Sequence, residues 1–177
     1  VGVFSSASSF GQQLTRQIVM YGPTYNQAYS PNSFDGVWSS AYTGVFKHAN
    51  ILIPVATSQK KFVQAGMAKV MKAYTMMTLV DMFGDVPYTE ANLGIDNTNP
   101  GITKGNEVYA AAIKLLQEVS DTLDLVADGR LAHGPYPGFY DNFYGVTNAA
   151  GARRWATQAK LLMIRAYMTT RLVDNGA

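Results

Sequence analysis

The chain has 177 residues, of which 47% are hydrophobic and 15% are charged, and its formal net charge is +2. This length allows one domain with a substantial core, and so small a charge argues against nucleic-acid binding through neutralisation of phosphates. The chain contains no cysteine, which excludes disulfides, thiolate catalysis and zinc–thiolate sites within it.

The first predicted helix covers residues 8–20, where apolar side chains recur at helical spacing. Residues 22–35 follow with the sequence GPTYNQAYSPNSFD. Proline, glycine and asparagine without an apolar period predict a loop. Its side chains are polar or aromatic and uncharged before Asp35, a composition that suits hydrogen bonding and stacking rather than acid–base chemistry. An ordered connector with no role in binding is the alternative.

Residues 33–56 form the second predicted helix, because apolar residues recur every three or four positions. Asp35 lies in its first turn, where a carboxylate interacts favourably with the helix dipole. Trp38 and Tyr42 are one turn apart and are expected on the buried face. The turn that follows, residues 57–59, is so short that the second and third helices must form an antiparallel hairpin.

The third predicted helix begins near Lys60 and includes most of the apolar stretch 65–87. A helix that is apolar on most of its circumference needs neighbours on several sides, so we expect this one at the centre of the domain. Three charged side chains argue against a membrane span, since each costs roughly 2.5–3.5 kcal/mol at the bilayer centre; they are Lys69, Lys72 and Asp81.

Glycine and proline set two further expectations for this helix. Gly66 allows a neighbouring helix to approach closely. Gly84 is placed for a left-handed C-terminal cap, and Pro87 prevents the helix from continuing.

Residues 104–126 and 152–173 are the fourth and fifth predicted helices, with Thr103 as the N-cap of the fourth. The irregular segment between them, residues 127–150, is rich in aromatic residues and is expected to be held in place. No strand pattern of any length is present. The predicted fold class is therefore all-α: about five helices in antiparallel hairpins, stacked like tetratricopeptide repeats, with residues 1–177 as a single helical domain.

Candidate catalytic groups are few. Asp81 and Asp85 are four residues apart, and glycosidases need paired carboxylates. Since one lies on the helix and the other beyond its end, we expect Asp85 to act in capping and in the turn. His48 and His133 are isolated, without the spacing of a triad or a metal site. The sequence predicts no catalytic residue, no metal site and no cofactor.

Four motifs in order resemble the SusD/RagB family of outer-membrane nutrient-binding lipoproteins of Bacteroidetes. The motifs are Trp38, Tyr42 and Asn50; Lys72-Ala73-Tyr74 with Phe83-Gly84-Asp85-Val86-Pro87-Tyr88; Glu107-Val108-Tyr109; and Lys160 with Arg165-Ala166-Tyr167. Lys72 stands where the family usually has arginine. The resemblance covers nearly the whole chain, which is shorter than family members, so we expect it to be the N-terminal part of a longer protein.

This resemblance implies a non-catalytic receptor at the cell surface, held at the outer membrane by an N-terminal lipid anchor that is absent from this chain. Such receptors bind a glycan, or in some members a peptide, and deliver it to a TonB-dependent, SusC-like transporter. In the family, the loop between the first two helices contacts the ligand. The corresponding residues here are Tyr21, Tyr25, Asn26, Gln27 and Tyr29. Whether residues 135–144 also contact ligand stays open.

A helical-repeat scaffold for a peptide or protein partner is the alternative function. Such a scaffold would use a groove between helices rather than the tyrosine-bearing loops. The candidate groove residues are the basic side chains of the fifth helix, Arg153, Arg154, Lys160, Arg165 and Arg171.

Overall fold

The computed structural model describes residues 8–9, 11–19, 31–133, 141, 143–145 and 148–172. Within these residues the chain is helical and has no strand, apart from a single antiparallel bridge between Val86 and Thr103. The all-α prediction is confirmed. The elements are a 3₁₀ turn (Pro31–Phe34), α1 (Asp35–Ser39), a π-helical segment (Ser40–Phe46), α2 (Lys47–Ser58), α3 (Phe62–Phe83), a 3₁₀ turn (Gly94–Asp96), α4 (Gly105–Ala127) and α5 (Ala149–Thr170).

Helix α3 is the centre of the domain, as its apolar sequence predicts. It packs against α2, α4 and α5, and its side chains from Val63 to Leu79 supply a large part of the core. A Cβ atom at Gly66 would lie 2.7 Å from Cδ1 of Leu123, so the missing side chain allows α3 and α4 to pack closely. None of the described helices has the length and apolar character needed to cross a bilayer.

The predicted second helix is one helical run in the structure, but it is not a regular α-helix. Between α1 and α2 the backbone bonds are of the π type, and the N–H of Lys47 donates to the carbonyl of Tyr42. Apolar residues every three or four positions fit both geometries, so the period alone does not predict a π segment. The turn after α2 is short, and α2 and α3 form the predicted hairpin.

Two helix boundaries differ from prediction. Residues 8–9 and 11–14 are helical, but Arg16 has a φ of +58°, so the regular helix ends before residue 20. Helix α5 begins at Ala149 rather than at residue 152. Its N-cap is Asn148, whose Oδ1 accepts hydrogen bonds from the N–H groups of Ala150 and Gly151, and such an amide cap satisfies donors that the first turn leaves unpaired.

The prediction that Thr103 caps α4 is wrong. The N-cap position is Lys104, and the backbone of Thr103 instead pairs with Val86, with N···O distances of 3.1 and 3.0 Å. The Thr103 hydroxyl accepts from the N–H of Thr89. Because the backbone of Thr103 pairs with Val86 and its hydroxyl contacts Thr89, another residue must cap the helix.

The described part of the segment between α4 and α5 is anchored by a buried carboxylate. Asp141 is fully buried; its Oδ2 accepts from Nε1 of Trp155 at 2.7 Å and its Oδ1 from the N–H of Phe143 at 2.8 Å. The rings of Phe143 and Tyr144 pack edge-on against Trp155. These residues are held in place, as predicted. His133, just after α4, accepts from the N–H of Val63 in the first turn of α3.

Candidate functional site

Helix α3 ends in a turn that brings the residues of the longest motif together. Gly84 has φ +74° and ψ −122°, and its N–H donates to the carbonyl of Val80 at 2.8 Å. The positive φ agrees with prediction, whereas the ψ value lies outside the left-handed helical region. A residue with a Cβ rarely adopts this conformation, so glycine is required here. The chain then continues through the Val86–Thr103 bridge into α4.

Aromatic residues of the first motif fasten this turn to the helical run before it. The hydroxyl of Tyr42 donates to the carbonyl of Pro87 at 2.7 Å. The ring of Trp38 lies 4.9 Å from that of Tyr42 and 5.1 Å, edge-on, from that of Phe83. Burial raises the pKa of Tyr42 to about 12, so its hydroxyl remains a donor at physiological pH. Trp38 and Tyr42 are therefore partly buried and pack against the core, as expected.

Lys72 connects α2, α3 and the turn. Its Nζ donates to Oδ1 of Asn50 at 2.7 Å and lies 5.7 Å from the centroid of the Tyr88 ring. Burial lowers the pKa of Lys72. An ammonium group supplies one hydrogen bond and a cation–π contact, whereas the arginine usual in the family could add a second, parallel hydrogen bond.

A second group of motif residues joins α3, α4 and α5. The hydroxyl of Tyr109 donates to Oδ1 of Asp81. The guanidinium carbon of Arg165 lies 5.3 Å from the centroid of the Tyr74 ring. A hydrogen bond with Tyr74 raises the pKa of Arg165, and burial, together with the bond to Asp81, raises the pKa of Tyr109. Most motif side chains thus bind one another and hold the helices in register.

Asp85 caps α4 from the preceding turn. Its Oδ1 accepts from the N–H of Gly105 at 2.9 Å, and its Oδ2 accepts from Nζ of Lys104 at 2.7 Å. The bond to Lys104, with the bond to Gly105 second, lowers the pKa of Asp85. The predicted capping and turn role is confirmed, with the qualification that the capped helix is the next one along the chain.

These contacts enclose a cleft where the C-terminal ends of α3 and α5 meet the N-terminal end of α4. Its volume is about 550 Å³, and both apolar and polar residues line it. The ring of Tyr167 is 58% exposed. The polar groups comprise carboxylates, phenols, hydroxyls, an amide and a guanidinium, from Asp81, Asp85, Asn106, Tyr109, Tyr167, Thr169, Thr170 and Arg171.

This set of groups is suited to binding a polyhydroxylated ligand. An exposed phenol ring presents an apolar face with a polar tip; amide and hydroxyl groups both donate to and accept from ligand hydroxyls, and carboxylates accept from them. Catalysis by the two carboxylates is not indicated, because Asp81 accepts from Tyr109 and Asp85 is bonded to the N-terminus of α4. Among the described residues, no group of three or more acidic or histidine side chains could hold a metal ion.

The predicted ligand-binding residues lie outside the described residues; they are Tyr21, Tyr25, Asn26, Gln27 and Tyr29. The cleft residues Asn106, Tyr167 and Thr170 were not predicted as ligand contacts. A signal was present for Tyr167, which falls off the apolar stripe of the fifth helix yet belongs to a motif. Asn106 and Thr170 are ordinary polar residues at helix ends, and nothing local distinguishes them.

The basic residues of α5 mostly contact their own domain. Arg153 pairs with Asp128 and Lys160 pairs with Asp124, each at 2.7 Å. Arg154 donates to the carbonyl of Tyr144, and Arg165 lies over the Tyr74 ring of α3. Exposed ion pairs of this kind contribute about 0–1 kcal/mol each. These contacts within the domain explain the basic side chains without a partner protein, so the residues give no support to a scaffold function at α5.

Comparison with protein families gives one match. Residues 3–134, more than half of the chain, match the SusD-like family model described as "Starch-binding associating with outer membrane". Searches among curated proteins and solved structures gave no significant match. The matched span contains α1 to α4, the α3 turn and the first three motifs.

Proposed function

We propose that this chain is a non-catalytic glycan receptor at the cell surface. The premise is its family: the chain belongs to the SusD-like family, described as starch-binding and associating with the outer membrane. It passes its ligand to a TonB-dependent, SusC-like transporter and is held at the membrane by an N-terminal lipid anchor. The observation that carries the proposal is the cleft at the ends of α3, α4 and α5, where an exposed tyrosine ring stands among polar groups.

In this proposal the exposed ring of Tyr167 takes an apolar C–H face of a sugar, while Asn106 and Thr170 bind its hydroxyl groups. The tyrosine-bearing loop contributes further rings and amides, from Tyr21, Tyr25, Asn26, Gln27 and Tyr29.

The electrostatics of the cleft support binding without turnover. A glycosidase needs one carboxyl group whose pKa is raised so that it can donate a proton. In this cleft Lys104 and the N–H of Gly105 lower the pKa of Asp85, which is the opposite of what a general acid requires. Asp81 receives its hydrogen bond from Tyr109, whose own raised pKa keeps that hydroxyl protonated.

Titration calorimetry with maltooligosaccharides and a panel of other oligosaccharides tests the proposal. We expect at least one glycan to bind, and no reducing sugar to be released on long incubation. Tyr167→Ala should weaken binding by about tenfold, or about 1.4 kcal/mol, and the loop pair Tyr25→Ala with Tyr29→Ala should weaken it similarly. Met168→Ala is the matched control, because Met168 is equally exposed on the same helix but does not line the cleft.

Each outcome bears on a separate part of the proposal. Failure to bind any glycan would refute the receptor, and released reducing sugar would refute its non-catalytic character. Unchanged affinity in Tyr167→Ala would remove the cleft from the site, and unchanged affinity in the loop pair would remove the loop. Both sets of variants should keep the circular dichroism spectrum of the unmodified protein.

A further inference from the structure

A second concave surface lies between α2 and α3 and shares no lining residue with the cleft at the ends of α3, α4 and α5. Its volume is about 600 Å³ and its walls are largely apolar. Leu52 and Val55 of α2 line it and remain 46% and 49% exposed. The opposite wall comes from Met67 and Met71 of α3, flexible side chains that adapt to varied partners. We call this surface the α2–α3 groove.

The charge around the α2–α3 groove has one sign. Residues 36–80, a range that includes every residue lining the groove, contain five lysines and no aspartate or glutamate. Two of them are engaged elsewhere, Lys69 with Glu118 and Lys72 with Asn50. Among the described residues the other three make no ion pair; they are Lys47, Lys60 and Lys61. Lys61 and His48 line the groove itself.

One buried polar atom in the groove lacks a partner. Gln64 lines the groove, and its Oε1 is buried with no donor within hydrogen-bonding distance in the described part of the chain. A buried acceptor without a donor destabilises the fold. A ligand that brings a donor to this wall removes that cost, so the groove is apolar and also has an acceptor available to a ligand.

We propose that the α2–α3 groove binds an amphipathic helix of a partner protein, one whose apolar stripe is flanked by aspartate or glutamate. A groove between two antiparallel helices suits a third helix that presents apolar residues at i, i+3, i+4 and i+7. Acidic flanks then meet the unpaired lysines and set the orientation and specificity of docking.

A second copy of the chain that docks through α5 does not meet this requirement. Among the described residues, α5 has an exposed apolar face with Leu161, Ile164 and Met168. Helix α5 contains basic residues and no aspartate or glutamate. Inserting it into the lysine-rimmed groove would bring like charges together, and this repulsion disfavours self-association through these faces.

Two designed peptides test the proposal on the full chain. Both are 18-residue helices with leucine at i, i+3, i+4 and i+7; one has glutamate and the other lysine at the flanking positions. Fluorescence anisotropy should give a dissociation constant at least about tenfold lower for the glutamate peptide, and this difference should shrink at high salt. Leu52→Gln should abolish the binding, and Lys60→Glu with Lys61→Glu should reverse the preference between the peptides.

Ile164→Gln is the matched control, because Ile164 is a similarly exposed apolar residue on α5, and it should leave the affinity unchanged. All variants change exposed or half-exposed side chains, so their circular dichroism spectra should match that of the unmodified protein. Equal affinity for the two peptides, absence of binding by the glutamate peptide, or binding that survives Leu52→Gln would overturn the proposal. The protein should also not sediment with anionic phosphatidylglycerol vesicles. If it did, and if Leu52→Gln abolished this sedimentation, the groove would bind a lipid surface and the proposal would be overturned.

Discussion

Replacing Trp155 with phenylalanine is the sharpest test of how the segment before α5 is held. The indole N–H donates to Oδ2 of Asp141 at 2.7 Å, and the two side chains are 3% and 0% exposed. A hydrogen bond to a charged group contributes about 1.5–3 kcal/mol, and losing it leaves that carboxylate oxygen buried without this donor. The smaller ring also leaves a cavity, which costs about 1 kcal/mol more.

The sum predicts that Trp155→Phe lowers the free energy of unfolding by about 2.5–4 kcal/mol. For a chain of this length each kcal/mol lowers the melting temperature by about 2–4 °C, so the expected shift is about 5–16 °C. Urea denaturation followed by circular dichroism measures the free energy directly. Trp38→Phe is the matched control, because its indole makes ring contacts but donates no hydrogen bond within the described residues.

A double-mutant cycle with Asp141→Asn isolates the interaction between the two side chains. Since they are in contact, the combined variant should be less destabilised than the sum of the single variants, by about 1 kcal/mol or more. Strict additivity, or a cost for Trp155→Phe no greater than that for Trp38→Phe, would refute the view that this buried hydrogen bond anchors the segment.

Two further variants test the cap and the packing of the central helix. Hydrogen bonding holds the pKa of folded Asp85 below its ordinary value of 3.8, so its contribution to stability is present above that value and is lost as the pH falls through the lowered pKa. Asp85→Asn should therefore lower the urea midpoint at neutral pH and make its decline between about pH 5 and pH 2 shallower; an unchanged pH profile would show that the Asp85 cap does not act. Gly66→Ala should destabilise the protein by about 1–3 kcal/mol through overpacking against Leu123, whereas Gly36→Ala, with no atom within 4 Å of the added Cβ, should stabilise it by about 0.4–1 kcal/mol. Equal effects of the two alanines in urea denaturation would contradict the close packing of α3 and α4.

The helices were predictable because burial of an apolar face leaves a periodic record in the sequence. Helix α3 shows this most clearly: its apolar circumference predicts a central position, and the structure places α2, α4 and α5 around it. The short turn after α2 likewise determines the hairpin. These are local patterns whose physical cause, removal of apolar surface from water, acts on every residue of the segment.

The pairing of donors and acceptors that caps α3 and α4 was not predictable from local sequence, because the partners are distant in the chain. Gly105 receives its cap from Asp85, and the first turn of α3 receives one from His133, seventy residues away. Thr103 had the local features of an N-cap, but pairing with Val86 placed it elsewhere. The cleft has the same origin: three helix ends that are far apart in the chain meet there, so no single stretch of sequence contains its pattern.

Exposure separates one aromatic residue of the motifs, Tyr167, from the other motif aromatics. Most motif aromatics are used inside the domain: Tyr42 fastens the turn, Tyr109 binds Asp81, and Tyr74 lies under Arg165. Their contacts within the domain are a sufficient reason for aromatic side chains at these positions. Tyr167 is 58% exposed and, within the described residues, makes no hydrogen bond or ring contact.

Stability therefore gives no reason for a large aromatic side chain at position 167, and a ligand does. An exposed phenol ring costs little to the fold but offers a flat apolar face at the wall of a cleft that also contains polar groups. The Tyr167→Ala variant of the binding experiment should accordingly melt at the same temperature as the unmodified protein while losing glycan affinity. A loss of stability in that variant would assign Tyr167 to the scaffold with the other motif residues, and recognition would then rest on the loop alone.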